Sequence, residues 1–315
     1  MFAARGVAVC LSVFALLYVA LSLAVCGLWR RIWFYGQRFL ARRGANLLFA
    51  WRMFPLAAAA ATTLVFAVPS FLLLEPRAID EPVGVIPLAW GLCGLMLILA
   101  GAGNAARAMV RASKTIARWQ SGASVDRSGS VLLLRVSRAF PTFVAAGILR
   151  PKLLLSHRAE FVLTPKELQA ALQHELAHVR RLDNLRKLLL CFAPFPGMAE
   201  LEASWREASE MAADDAAVSS ASEALDLAAA LIKLSRLGPL EPPGELTTAL
   251  VHSPAESVNA RVERLIAWNE RRQSPAKEYS LGYALCEVAA VAIALALTYS
   301  HLLVRVHAAT EWLVR

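Results

Sequence analysis

No acidic residue occurs before Glu75, although Arg5, Arg30, Arg31, Arg38, Arg42, Arg43 and Arg52 all fall in that stretch. Cations of one sign set between apolar runs exclude an ordinary soluble surface of mixed charge. Cysteine is scarce too. Cys10, Cys26, Cys93, Cys191 and Cys286 are the only five, and no CxxC pair occurs. That excludes a disulfide framework and a cysteine zinc site, and leaves them as small apolar residues in apolar surroundings. There is no internal repeat and no long low-complexity stretch.

What is abundant is apolar sequence. Hydrophobic residues make up 57% of the 315 residues, and the mean hydropathy is +0.50. The excess sits in four runs, each about the ~20 residues needed to cross a bilayer. They are Val7–Leu28, Leu56–Leu74, Val83 to Gly103, and Leu281–Val304, the last interrupted by Glu287 and His301. The first is too long for the ~7–15-residue apolar region of a cleaved signal peptide. Arginines flank the first run on its C-terminal side, and Arg107, Arg111, Lys114 and Arg118 flank the third, whereas the loop after the second carries Glu75, Asp80 and Glu81. Basic loops stay in the cytoplasm. The N-terminus is therefore expected outside, 106–280 inside and the C-terminus outside.

The net charge of +9 could signal nucleic acid. Here the arginines alternate with Trp29, Trp33, Phe34, Tyr35, Phe39 and Trp51, a pattern that suits anionic lipid. Membrane lipid is the expected partner and direct nucleic-acid binding is not. The organisation expected is residues 1–105 as three spans with a basic amphipathic cytoplasmic loop at 29–55, a cytoplasmic domain at 106–280, a fourth span at 281–304 and a short external tail at 305–315.

Within 106–280 a charged helix is expected from Arg107 to Gln120, then a polar turn over Ser121–Ser130. Val131–Val136 and Lys152–Ser156 read as short strands, with a strand or loop between Pro141 and Pro151. Thr164, Pro165 and Glu167 start the next helix as N-cap, first residue and capping-box partner. Later helices are expected over Met198–Ala221, Glu223–Leu237 and Ser257–Arg272. The apolar stretch Cys191–Met198 is a candidate to dip into the bilayer.

The chemistry lies in His174-Glu175-Leu176-Ala177-His178. Residues four apart share a helix face, so both imidazoles can reach one metal ion, with Glu175 beside them as general base. The motif does not extend to HExxHxxGxxH, since the chain runs on as Val179-Arg180-Arg181-Leu182-Asp183. A third ligand is then expected from a later helix, where Glu202, Glu207, Glu210, Asp214 and Asp215 are candidates. The spacing of Glu210 and Asp214 lets Glu210 take the metal while Asp214 hydrogen-bonds a ligating histidine. His252 or Arg261 could donate to the transition-state oxyanion. The strand Val131–Val136 could pair with an extended substrate.

HELAH and the RRLDN string just after it resemble the membrane peptidases that include the β-lactam sensor-transducer BlaR and its methicillin counterpart MecR, peptidase family M56. Phe143–Leu155 resembles that family's strand pair, Glu210-Met211-Ala212-Ala213-Asp214 its third-ligand motif, and Arg261-Val262-Glu263-Arg264-Leu265 its late helix. The resemblance implies an α+β chain: four helical spans and a cytoplasmic zincin domain of gluzincin type. It further implies one Zn2+ per chain, held by His174, His178 and Glu210, in a bacterial inner-membrane metalloendopeptidase. The implied substrate is a protein, for instance a cytoplasmic repressor in a signalling pathway. The family's sensor members carry a penicillin-binding domain after the fourth span, and the eleven residues here do not provide one. His252-Ser253-Pro254 resembles instead the HtpX/Ste24-like quality-control peptidases of family M48. A signalling scaffold with a zincin fold that no longer cuts is the non-enzyme alternative.

Overall fold

The computed structural model describes residues 2–36, 41–76, 84–120, 124–128, 131–136, 143–148, 151–237, 246–249, 255–268 and 298–311. Long apolar sequence becomes long helix. Helix α1 covers Phe2–Gly36. Helix α2 (Ala41–Thr62) runs through a π-helical turn (Thr63–Ala67) into α3 (Val68–Leu74). Helix α4 covers Val85–Gln120. Three stretches of these helices are long and apolar enough to cross a membrane: Phe2–Trp29, Gly44–Leu74 and Val85–Gln120. Most of the fourth expected span, with Glu287, lies outside the described residues, although its end continues as helix through 298–311.

The stretch 29–55, expected as a loop on lipid, is largely helical. Arg52 does not reach headgroups. It is 1% exposed, its Nε donates to Glu202 Oε1 at 2.9 Å, and its Nη2 donates to the Ala193 carbonyl. An arginine inside an apolar helix needs a paired acceptor, and here the acceptor comes from the other part of the chain. Trp29 is likewise buried, packed with Met198, Leu201 and Trp205.

Five strands form one mixed sheet in the order β1-β2-β4-β3-β5. They are β1 (Ser124–Ser128), β2 (Val131–Val136), β3 (Phe143–Ala146), β4 (Lys152–Ser156) and β5 (Thr247–Ala249). Strand β1 occupies the segment expected as a polar turn, where it pairs antiparallel with β2. Alternation divides the sheet into two faces. Leu134, Val136, Val144 and Leu154 pack under Trp119 at the end of α4. Phe143, Ala145, Leu153 and Leu155 face the helices of the other layer.

That layer comprises α5 (His157–Val162), α6 (Pro165–Arg180), α7 (Asp183–Phe192), α8 (Ala199–Ala217), α9 (Ala221–Arg236) and α10 (Ala255–Ile266). Helices α8 and α9 fall where two helices are expected, divided by an extended Val218 and capped afresh by Ser220, whose side chain accepts from Glu223 N. Helix α7 is not expected from the sequence. It ends in a turn that seats on the spans: Tyr18 donates to the Pro194 carbonyl at 3.0 Å, and the Phe195 ring meets Tyr18 edge-on at 5.9 Å. Gly101 of α4 lies directly against the Phe192 carbonyl, where any Cβ would collide.

Candidate metal centre and active site

Helix α6 has a firmly fixed start. Thr164 Oγ1 accepts from Glu167 N, and Glu167 Oε2 accepts from Thr164 N at 2.8 Å, both halves of the capping box. Lys233 of α9 donates to the same Glu167 oxygen at 2.8 Å, which ties the two helices together. Two turns later, His174 and Glu175 are fully buried and His178 nearly so, at 0%, 0% and 2% exposure.

The two imidazoles converge. Their Nε2 atoms lie 3.1 Å apart. Glu210 of α8 closes the group, with its oxygens 3.6 Å from His174 Nε2 and 3.5 Å from His178 Nε2. Two ligands about 2.0–2.1 Å from one tetrahedral ion stand roughly 3.3 Å apart. The triad therefore fits a metal ion.

The other ring nitrogens explain the orientation. His174 Nδ1 faces Asp214 Oδ1 at 2.9 Å, and His178 Nδ1 faces Asp183 Oδ2 at 2.7 Å. A carboxylate behind each imidazole holds the proton on Nδ1 and turns the Nε2 lone pair inward. Asp214 is where its spacing from Glu210 predicts. Asp183 is a residue of the candidate site that sequence reasoning misses. It comes directly after Leu182, which adopts the left-handed conformation (φ 56°, ψ 38°) and folds α7 back under α6. Ser209 also donates to Asp183 Oδ2, at 2.8 Å. The sequence signal that could have found it is the Arg-Arg-Leu-Asp-Asn string after the motif.

Glu175 points to the sheet. Its Oε2 accepts from the Ala145 N–H of β3 at 3.1 Å. Asn184, next to Asp183, donates to the carbonyls of Ala145 (3.3 Å) and Gly147 (3.1 Å). Glu175 and the histidine-backing helix thus share one strand. That strand is β3, whereas β2, expected to receive substrate, is flanked by β1 and β4 and has no free edge. The outer edge of β3 is taken by β5, with Val144 paired to Ala249 and Ala146 to Thr247. Lys187 Nζ donates to the Thr247 carbonyl at 2.6 Å.

Arg261 lies behind the ligands. It is 1% exposed and donates to both Asp214 oxygens, at 2.8 and 2.7 Å, with Nη1 3.1 Å from Glu210 Oε2. These contacts make it a positioning residue for the two carboxylates, in place of the oxyanion role expected from the sequence. His252 lies outside the described residues.

The electrostatics derive from this packing. Burial disfavours every charge in the group, yet the pairings win. Burial pulls His178 down, but Glu210 and the Asp183 hydrogen bond raise it to about 10. Burial pushes Glu210 up, and the His178 and Arg261 charges hold it well below the usual carboxylate range. Asp214 is likewise lowered, mainly by Arg261 against its own burial. The site is a compact zwitterion: buried acids opposite cations that a divalent ion can replace.

The family model described as BlaR1 peptidase M56 matches residues 74–265, more than half of the chain. The chain belongs to the M56 peptidase family. The matched stretch takes in α4, the sheet, His174 to His178, Glu210, Asp214 and Arg261. The M48-like segment at His252 therefore does not set the family. M56 peptidases are metallopeptidases, and the triad His174, His178 and Glu210 supplies what such an enzyme needs to hold its ion. No curated protein matches this M56 peptidase.

Proposed function

We propose that this M56 peptidase is a zinc metalloendopeptidase of the bacterial inner membrane. Its zincin domain faces the cytoplasm and hydrolyses peptide bonds of a cytoplasmic or membrane-associated protein. A transcriptional repressor in a signalling pathway is the substrate class implied by the family. The observation that carries the reading is the placement of Glu175. It is a fully buried carboxylate adjoining two convergent imidazoles, and a site that only bound metal would have no use for it.

Zinc, when bound by His174, His178 and Glu210, supplies a Lewis acid that polarises the scissile carbonyl and acidifies water. The protein's own groups do the rest. The Ala145 N–H holds one Glu175 oxygen and aims the other. Glu175 takes the proton of the attacking water and returns it to the departing amine. Asp214 and Asp183 keep each histidine in one tautomer, and Arg261 keeps Asp214 and Glu210 ionised. Orientation rests on the arginine asymmetry between the first three spans.

Glu175→Gln tests this. The variant is expected to retain metal and fold while cleavage of clients falls by about 10²–10⁴, because an amide cannot accept the proton. Cleavage at the wild-type rate would refute the mechanism and favour a non-cleaving scaffold.

A further inference from the structure

A second set of metal-ligating side chains lies far from the peptidase centre. Glu75 ends α3, and His307 and Glu311 lie one turn apart on the helix 298–311. One ligand atom from each lies within 4.8 Å of the others. His307 Nδ1 is 3.9 Å from Glu75 Oε2, and His307 Nε2 is 3.5 Å from Glu311 Oε1. Arg5 Nη2 holds the other Glu75 oxygen at 2.7 Å, which orients that carboxylate toward His307. Arg5 stands 24 residues before Trp29 on α1, about 36 Å along the helix at 1.5 Å per residue, and Trp29 packs against α8. The cluster therefore sits at the end of the spans remote from the HExxH centre.

We propose that Glu75, His307 and Glu311 form a second divalent-cation site, of zinc class, that braces the C-terminal helix against the first two membrane helices. The fixed charges sum correctly: two carboxylates and one guanidinium leave one net negative charge for the cation. One imidazole nitrogen with carboxylate oxygens suits Zn2+. Glu75 approaches Nδ1 and Glu311 approaches Nε2, so a shared ion on Nδ1 requires Glu311 to swing round the ring, which its 46% exposed side chain allows. The helix is already seated by contacts independent of any ion. Tyr299 donates to the Val65 carbonyl at 2.8 Å, inside the π-helical turn, its ring packs on Phe66 at 5.7 Å, and Leu303 is 7% exposed. These contacts hold His307 opposite Glu75, so an ion entering there meets ligands from two segments already aligned.

The test is the zinc content of the full chain in detergent or nanodiscs, stripped with chelator and then equilibrated with graded Zn2+. Wild type is expected to take two ions per chain. His307→Asn is expected to take one, or to bind the second more than about tenfold more weakly. Glu311→Gln, at a half-exposed position, should weaken the same ion. Added Zn2+ should raise the unfolding temperature of wild type more than that of His307→Asn. The pair His174→Ala, His178→Ala is expected to lose the other ion and keep this one. A wild type that stops at one ion, lost only in that pair, overturns the proposal and leaves the peptidase reading standing. Undiminished binding in both His307→Asn and Glu311→Gln also overturns it. If the His174, His178 pair loses nothing while His307→Asn loses one, the peptidase centre is refuted and the second site stands.

Discussion

Arg261→Met removes a cation that faces both Asp214 and Glu210, and its cost can be worked from the contacts. The guanidinium is 1% exposed, and the Asp214 carboxylate it grips at 2.7 and 2.8 Å is 0% exposed. Deleting one partner of a buried pair leaves an uncompensated charge and typically costs about 3–5 kcal/mol. Asp214 escapes part of that by taking a proton. It then grips His174 Nδ1 less well, and loss of such a backing carboxylate typically costs about 10–100-fold in metal affinity or activity. The acid limb shifts as well. A carboxyl lowered in the folded state contributes stability above its unfolded pKa, and that stability is lost as pH falls through the folded value. Asp214 is lowered chiefly by Arg261 against its burial, so in Arg261→Met its folded value rises and acid unfolding begins at higher pH. Arg261→Lys should recover little, since an ammonium cannot make the two-pronged contact. Thermal unfolding of the metal-free protein between about pH 3 and 7, with chelator-competition zinc affinity, measures both effects. An Arg261→Met protein with wild-type acid stability and zinc affinity would refute the assignment of Arg261 as a positioning residue.

Metal uptake should release protons. With His178 raised to about 10 in the metal-free protein, a proton occupies the site at neutral pH, so affinity should climb with pH until about 10. Calorimetry in two buffers of different ionisation enthalpy reads the released protons directly. The sign for stability is the reverse: the raised histidine stabilises the metal-free fold fully below about 6.5, and that contribution disappears as pH rises toward 10. Arg52→Leu should loosen the peptidase layer from the spans by about 1–3 kcal/mol, because Glu202 and the Ala193 carbonyl lose their donor. Limited proteolysis of the 193–199 turn should accelerate accordingly, and the added change Glu202→Leu should recover part of the loss.

The metal helix is the most legible part of the chain. Thr164, Pro165 and Glu167 announce its start, and His174, Glu175 and His178 share a spacing that only a helix makes useful. Glu210 and Asp214 are legible for the same reason, being one turn apart on α8. Asp183 is not, because its approach depends on Leu182 entering a left-handed conformation that nothing in its side chain requests. Arg261 can be found as a residue but not in its role, since a sequence carries its charge and not the direction of its guanidinium. Arg52 reads by its local surroundings as a lipid contact, yet its partner, Glu202, lies 150 positions away. Short strands such as β1 and β5 carry too little alternation to announce themselves, and only their pairing identifies them.

Helix α4 has 36 residues without a break, about 54 Å at 1.5 Å per residue. A bilayer core accounts for roughly 30 Å of that, so the rod outlasts the membrane by about 24 Å. Its last turn carries Trp119, wedged on Leu134, Val136, Val144 and Leu154. The strand beneath, β3, offers the Ala145 N–H to Glu175. In mechanical terms the proposed base hangs from the short arm of a lever whose long arm is a helix long and apolar enough to cross a membrane. Tilting the rod by about 5° around the membrane face moves the end of that roughly 24 Å arm by about 2 Å, a large part of the 3.1 Å hydrogen bond that holds Glu175. Trp119 and the Ala145 N–H are thus the two points through which a change in the tilt of α4 would be felt at Glu175.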